Sequence, residues 1–363
     1  MRGLYIHIPF CLSKCPYCDF YSVRLDENLA GEYKKAVIRN LKEYKEQFDK
    51  EQFDTVYFGG GTPILLWKEI CEILENVSVA KGAEVTIEAN PCCTDRERLS
   101  ALKSAGVNRI SFGVQSLEDS ELKALGRRHN SGEAVRAIET AFECGFENIS
   151  ADLMLAIPFQ TEEIVCHSIE GLARLPVTHI SAYMLKIEEN TPFARAELDL
   201  PDEDKVCGIY LRAVEALEEA GFAQYEISNF AKKGFMCRHN LKYWICEEYL
   251  GIGPASHSYY NGERFYVNRD LKEFIFSPLQ IIHGEDERGA AYGGFEEYAM
   301  LRLRLSEGLS FKEYEKHGGN VNLLSAKIKT IPPEYLNAGN DKVSLTPKGF
   351  LVSNAVIGAL LGY

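Results

Sequence analysis

Three cysteines near the start of the chain, Cys11, Cys15 and Cys18, stand in C-x-x-x-C-x-x-C spacing within IHIPFCLSKCPYCDFYS. Iron–sulfur cubes are held by cysteine thiolates. A single loop can reach three corners of a cube only if its cysteines are a few residues apart, and here the gaps are three residues and two. With no fourth cysteine close by, one iron is left open to another ligand. Two other readings stand beside this one. Pro16 and Tyr17 make the second half of the run CPYC, a dithiol redox motif in which Cys11 would be a spectator. A structural zinc site needs four protein ligands, and no second CxxC pair exists; Cys92 and Cys93 are adjacent. Eight further cysteines (Cys71, Cys92, Cys93, Cys144, Cys166, Cys207, Cys237, Cys246) read as small buried hydrophobes.

Other residue groups could bear chemistry. Gly59-Gly60-Gly61-Thr62-Pro63 lets backbone approach a neighbour closely because glycine has no Cβ, and Pro63 suits a first helical turn. No Gly-Lys-Ser/Thr follows, so it is not a phosphate loop. Gly251-x-Gly253 lacks the last glycine of a dinucleotide fingerprint, Ser256 standing there. Glu88 and Asp152 lie in otherwise apolar runs, VTIEANP and ISADLML, where an unpaired carboxylate is costly. A bound partner or an ion pair is therefore expected at each. His7 alternates with Tyr5 just upstream of Cys11. His239 lies beside large aromatics in RHNLKYW, and His257 in GIGPASHSY. A core histidine satisfied by hydrogen bonds is the bland reading of His7; for His239 it is that His239 and Asn240 merely cap a loop beneath an aromatic cluster, and His257 is a lesser candidate of the same kind.

These residues must be positioned by something, and the pattern is α/β. Strand-like runs at 4–8, 55–59, 84–88, 109–114, 148–154 and 179–184 alternate with helical stretches at 29–48, 63–75, 95–105, 131–144, 162–172 and 202–220. The cysteines follow the first strand, GGGTP the second and Gln115 the fourth, with Glu88 in the third and Asp152 in the fifth. In a parallel barrel such ends share one face, the face that carries chemistry. Six βα units fall short of the eight of a closed barrel. After about residue 230 the alternation lapses, and the chain is read as a core domain over 1–235 and a small accessory domain over 236–363.

The 363 residues, 46% of them hydrophobic, can bury a sizeable core. A net charge of −13 argues against a nucleic-acid surface, which needs a basic stripe. The first residues lack the pattern of a secretory signal, and no run is long enough to span a bilayer. A reducing cytoplasm is expected.

The cysteine spacing, with the aromatic Tyr17 just before the third cysteine, resembles the signature of the radical S-adenosylmethionine (SAM) superfamily. YFGGGTP, IEANP, SFGVQS, LGRRH, ADLMLAIPFQT, YEISNFA, RHNLKYW, GIGPASHSY and LTPKGFLVSNAV extend the likeness to the branch holding oxygen-independent coproporphyrinogen III dehydrogenase and the HemW haem chaperones. The resemblance implies an open six-unit (β/α)6 partial TIM barrel with a small C-terminal accessory domain. It implies a [4Fe-4S] cluster on Cys11, Cys15 and Cys18, with SAM on the remaining iron. SAM contacts fall by the same likeness on Tyr5, Tyr17, Gly60, Gly61, Thr62, Glu88, Gln115, Arg127 and Asp152, and His7 becomes a candidate site residue. In the radical enzymes one electron from the cluster cleaves SAM to a 5′-deoxyadenosyl radical.

The branch also implies haem as a ligand, with His239 as the iron ligand and His257 as a lesser candidate. Two departures point away from the dehydrogenase. Its fourth cysteine is replaced by Phe20, and only ten residues precede Cys11. A haem chaperone is therefore expected, with acceptor haemoproteins and an electron donor for the cluster as partners; a radical enzyme of porphyrin metabolism is the alternative. Haem transfer needs no hydrogen abstraction, which leaves productive SAM cleavage open. Peripheral membrane contact and a homodimer are compatible with the sequence but demanded by no motif.

Overall fold

The structure, a computed structural model, describes residues 2–47, 52–283 and 294–362. Phe48, the last residue of the first expected helix, lies outside them, as do residues 284–293 and 363 of the expected accessory domain.

Six parallel strands form where the sequence places them: β1 (Arg2–Ile8), β2 (Phe53–Gly60), β3 (Val79–Ala89), β4 (Arg109–Gln115), β5 (Asn148–Leu155) and β6 (His179–Met184). They are hydrogen-bonded in chain order. Each alternates. Leu4, Ile6 and Ile8, Val56 and Phe58, Val85 and Ile87, Ile110 and Phe112, Ile149 and Ala151, and Ile180 and Ala182 are fully or almost fully buried. They form one apolar core with helix residues such as Val37, Ile70, Leu102, Ile138, Ile169 and Leu217. The residues between them are mostly polar or small: Tyr5 and His7, Thr55 and Tyr57, Thr86 and Glu88, Arg109 and Ser111, Ser150 and Asp152, His179 and Ser181. Because strand side chains alternate with period two, these fall together on the inner face of the curved sheet. The barrel interior is thus a hydrogen-bonded polar lumen, and stability comes from the helix-covered outer face.

Those helices are α1 (Glu27–Gln47), α2 (Trp67–Leu74), α3 (Arg96–Ser104), α4 (Asp119–Ala124), α5 (Ser131–Glu143), α6 (Glu162–Ala173) and α7 (Glu203–Glu219). Several begin at side-chain caps that satisfy otherwise unpaired amide groups. Asn130 and Glu133 form a reciprocal capping box on α5, Thr161 caps α6 and Asp202 caps α7. The short α4 had no counterpart in the sequence pattern. The stretch 63–75 splits into a 3-10 turn, Pro63–Leu66, followed by α2.

The sheet is open and larger than six strands. A seventh parallel strand, β7 (Tyr249–Ile252), pairs with the free edge of β1, Leu4 opposite Leu250. The antiparallel strands His257–Tyr260, Glu263–Tyr266 and Ile282–His283 continue from it. At the other edge, Asn229–Ala231 runs antiparallel to β6.

This corrects the division at 235/236. Helix α8 (Arg238–Trp244) and the four strands after it belong to the main sheet. The lapse in alternation near residue 230 marks a change from parallel to antiparallel pairing, which no longer needs crossover helices. A separate small sheet, in the order Leu309–Ser310, Lys342–Leu345, Leu336–Ala338, lies with helices such as Ser353–Leu361 at the C-terminal end.

Candidate functional site

β1 delivers the cysteine loop to the C-terminal mouth of the barrel. Phe10–Cys11 pairs with Val23–Arg24, and Val23 N–H bonds the Pro9 carbonyl at 2.7 Å, so the loop is pinned at both ends. A tight turn puts Cys18 N–H on the Cys15 carbonyl at 3.1 Å. All three thiols are free and half-buried. Thr62 Oγ1 donates to Cys11 Sγ at 3.5 Å, and Arg127 Nη1 to Cys15 Sγ at 3.4 Å. Burial pushes the Cys18 thiol up, with Cys15 and Cys11 close enough to add to it. Among the described residues no three His, Cys, Asp or Glu side chains converge on a single metal ion. A cube asks for something different, since each thiolate binds its own iron. A pinned loop with three free thiols and donors to two of the sulfurs fits that demand.

The glycine loop packs against this one. Gly61 and Thr62 N–H groups bond the Ile8 and Phe10 carbonyls, both at 2.8 Å. Gly60 has φ +112°, and a Cβ there would lie 2.5 Å from the His7 ring; one on Gly61 would lie 2.6 Å from the Phe10 carbonyl oxygen. At both positions the close approach that requires glycine is to the chain itself.

His7 is buried and wired on both sides. Its Nε2 lies 2.9 Å from the Tyr21 carbonyl and must donate there, which leaves Nδ1 to accept from Tyr5 Oη at 3.0 Å. Burial first, then the nearby Arg269, lowers its pKa to about 4, so the ring is neutral.

Around the mouth the predicted SAM residues come together. Glu88 accepts from Tyr57 Oη at 2.9 Å and from Gly60 N–H at 3.0 Å. Burial, and then the Asp152 carboxylate, raise its pKa to about 7. Asp152 accepts from Ser111 at 3.2 Å, and burial raises its pKa too. Arg127 reaches the Asn90 side chain, the Gly113 carbonyl at 2.6 Å and Tyr17 Oη at 3.3 Å, while its Nε is buried without a partner. Gln115 sits at φ +71° with its amide beside Gly113. The two carboxyl groups and the guanidinium suit a zwitterionic amino acid and a ribose.

Asn90, which the sequence reading passed over, joins Arg127 to Thr62, donating to the threonine at 3.1 Å. Its signal was available in IEANP. Cys92 and Cys207 are exposed rather than buried. Cys92 Sγ lies 3.5 Å from Cys93 Sγ in a cleft shared with Cys15 and Arg128.

His239 does not join this site. It is fully buried at the opposite, N-terminal end of the lumen, against Gly3 and Thr55. Nδ1 bonds Thr55 Oγ1 and Nε2 bonds Tyr243 Oη, each at 2.8 Å. The ring stacks on Tyr57, and burial lowers its pKa to about 3. Glu84 accepts from the backbone N–H groups of Arg238 and His239 at 3.1 and 3.0 Å, anchoring α8 across the barrel floor. Buried Lys242 pairs with Asp54 at 3.1 Å beside it. Both ring nitrogens are occupied within the chain and the side chain has no exposed surface, which sets His239 apart from the mouth where the cysteines and the expected SAM residues meet.

Known proteins bear on the whole chain. Residues 5–171 match the Radical SAM superfamily. The chain is 35% identical to the haem chaperone HemW of Bacillus subtilis (strain 168), with 100% of both chains covered. It is 33% identical to that of Escherichia coli (strain K12), covering 99% of this chain and 98% of the other. The solved E. coli coproporphyrinogen III oxidase (HemN), described as a radical SAM enzyme, superposes with a TM-score of 0.81 at 20% identity, over 99% of this chain and 89% of that one. This last likeness concerns the fold, an open partial barrel. No helix among the described residues is long and apolar enough to cross a membrane.

Proposed function

The chain belongs to the HemW family of the radical SAM superfamily, and from that premise we propose that it binds a [4Fe-4S] cluster, SAM and haem and delivers haem to acceptor haemoproteins. The observation that carries this reading is the meeting of Cys11, Cys15 and Cys18 with the polar mouth of the lumen, where Thr62 and Arg127 already donate to two of the sulfurs. In the reading the three thiolates hold the cluster. Arg127 takes the SAM carboxylate, Glu88 and Asp152 accept from its amine and ribose hydroxyls, Tyr5 and Tyr17 border the ligand, and Gln115 and the loop of Gly60, Gly61 and Thr62 complete the cradle. A cluster with SAM on its open iron supplies one-electron chemistry at the sulfonium. The protein's share is to position the ligands, and the buried His7–Tyr5 pair fixes the strand that carries the cysteines.

A reducing cytoplasm and a one-electron donor for the cluster follow from this reading. The alternative, a hydrogen-abstracting enzyme of porphyrin metabolism, loses ground at Phe20, an exposed aromatic where the dehydrogenase pattern has its fourth cysteine. The test is anaerobic reconstitution followed by iron and sulfide analysis, haemin titration, and transfer to an apo-haemoprotein. About four irons per chain, saturable haemin binding and transfer are expected. Conversion of coproporphyrinogen III with substrate-dependent release of deoxyadenosine, in protein that binds no haemin, would overturn the chaperone assignment.

A further inference from the structure

The Cys11 and Cys15 thiols each face a side-chain donor, and one residue stands behind both donors. Thr62 Oγ1 lies 3.5 Å from Cys11 Sγ, and Arg127 Nη1 lies 3.4 Å from Cys15 Sγ. Asn90 joins the two from the rear. Its Oδ1 accepts from Arg127 Nη2, and its Nδ2 donates to Thr62 Oγ1 at 3.1 Å. A continuous line of hydrogen bonds therefore runs from one sulfur to the other through Thr62, Asn90 and Arg127. The Cys18 sulfur is served differently, by the Phe20 backbone N–H.

Chemistry fixes the direction of each bond in that line. A guanidinium has donors only, so the Asn90 oxygen must face Arg127 and its amide nitrogen must face Thr62. A hydroxyl has a single hydrogen. Because Thr62 Oγ1 accepts from Asn90, that hydrogen is left for Cys11 Sγ. An aspartate in the same place, an acceptor only, would draw the hydroxyl hydrogen to itself and away from the sulfur. The amide is what aims it.

All three members of the line are held in place. The Asn90 carbonyl accepts from Cys93 N–H at 3.0 Å and from Thr94 Oγ1 at 2.9 Å. Thr62 is buried, with its N–H on the Phe10 carbonyl at 2.8 Å. Arg127 Nη2 also reaches the Gly113 carbonyl in β4, at 2.6 Å. Donors fixed in this way act on a bound cluster through its sulfurs. Reduction adds negative charge, which hydrogen bonds to sulfur stabilise, so such bonds raise the reduction potential.

We propose that Asn90 is a positioning residue for the cluster: by orienting Thr62 and Arg127 it fixes a donor on each of two cysteine sulfurs and raises the cluster's reduction potential. This rests on the cluster-binding reading above and adds the residue that tunes it. The electron comes from the external one-electron donor of that reading, and no bond forms or breaks at Asn90.

The test is an anaerobic dithionite titration of the reconstituted full chain, followed by electron paramagnetic resonance. SAM is left out, which separates the hold of Arg127 on sulfur from its role towards the SAM carboxylate. Asn90→Asp is expected to make one-electron reduction about tenfold less favourable, a downward shift of about 59 mV. Thr62→Val removes the same hydrogen from Cys11 and should shift the potential in the same direction. The two changes should not add: in a Thr62→Val background, Asn90→Asp should retain no more than about half of its effect. The aspartate charge acts alike in both backgrounds, so the difference between them reports the hydroxyl. Should Asn90→Asp fail to load iron, Asn90→Ala is titrated in its place and should also lie below the parent. A parental potential in the cluster-loaded Asn90 variant, or an undiminished shift in the Thr62→Val background, would overturn the positioning role and spare the cluster. A parent that holds no cluster after reconstitution would overturn both.

Discussion

Replacing His239 with alanine separates a structural histidine from a ligand. The substitution strands two hydroxyls, Thr55 Oγ1 and Tyr243 Oη, which now bond its ring at 2.8 Å each. Leaving a buried polar group unsatisfied costs about 1–3 kcal/mol. Truncating the ring also opens a cavity between Tyr57 and α8, and large-to-small changes in cores cost about 2–5 kcal/mol. These terms overlap because the site relaxes, so a loss of about 3–6 kcal/mol is expected. That is a large share of the roughly 5–15 kcal/mol that holds a typical domain together.

The assay is urea unfolding of parent, His239→Ala and His239→Gln, followed by haemin titration of each under conditions where it is folded. The glutamine variant keeps one polar partner and should lose about half as much. Haemin affinity and spectrum should match the parent in both, because the ring has neither a free nitrogen nor exposed surface. A His239→Ala protein as stable as the parent to within about 1 kcal/mol, or a folded one with the haemin spectrum abolished, would refute the assignment of this residue to the barrel floor.

Gly60→Ala forces a side chain into φ +112° and onto the His7 ring; a loss of at least about 2 kcal/mol is expected by thermal unfolding, and a neutral outcome would refute the packing described for the glycine loop. Glu88 gives a pH signature. Its carboxyl is raised to about 7 in the fold, against about 4.3 in an unfolded chain, so the folded state keeps the proton through that interval. Its contribution is therefore present at low pH and lost as pH rises towards 7. The stability of cluster-free parent relative to Glu88→Gln should fall by about 3 kcal/mol between pH 4.5 and pH 8, and a pH-independent difference would refute it. Cys92 is exposed, and its thiol is lowered to about 6, first by the Cys93 thiol and then by Arg127 and Arg128. Iodoacetamide should modify it ahead of Cys207, which is also exposed, with a rate midpoint near pH 6 that moves up in Cys93→Ala; the reverse order by mass spectrometry would refute the assignment.

The six parallel strands were legible because each repeats one signal. YIHI, TVYF, VTIE, RISF and HISA alternate apolar with polar or small residues, and the apolar set lies under the helices. The same alternation already implied a polar lumen, since a parallel sheet buried by apolar contact on both faces reads as a continuous hydrophobic run. The cysteine loop was legible for a different reason: its spacing is local, and a loop pinned at Cys11 and Arg24 needs no distant residue to bring the thiols near one another.

What stayed hidden was set by register between distant segments. RHNLKYW offers a histidine among aromatics, and nothing within those seven residues distinguishes a ligand from a plug. The distinction lies in Glu84, 155 residues away, whose carboxylate fastens the backbone of α8 to the strand starts. It lies equally in Thr55, which meets the ring from the first inward position of β2 beside Gly3. β7 escaped for a related reason: four residues, Tyr249–Ile252, carry too short a pattern to declare a partner, and the edge of β1 on one side and the strand His257–Tyr260 on the other give them theirs. The misplaced domain boundary has the same cause, a segment that completes the barrel while reading, residue by residue, like the start of something separate.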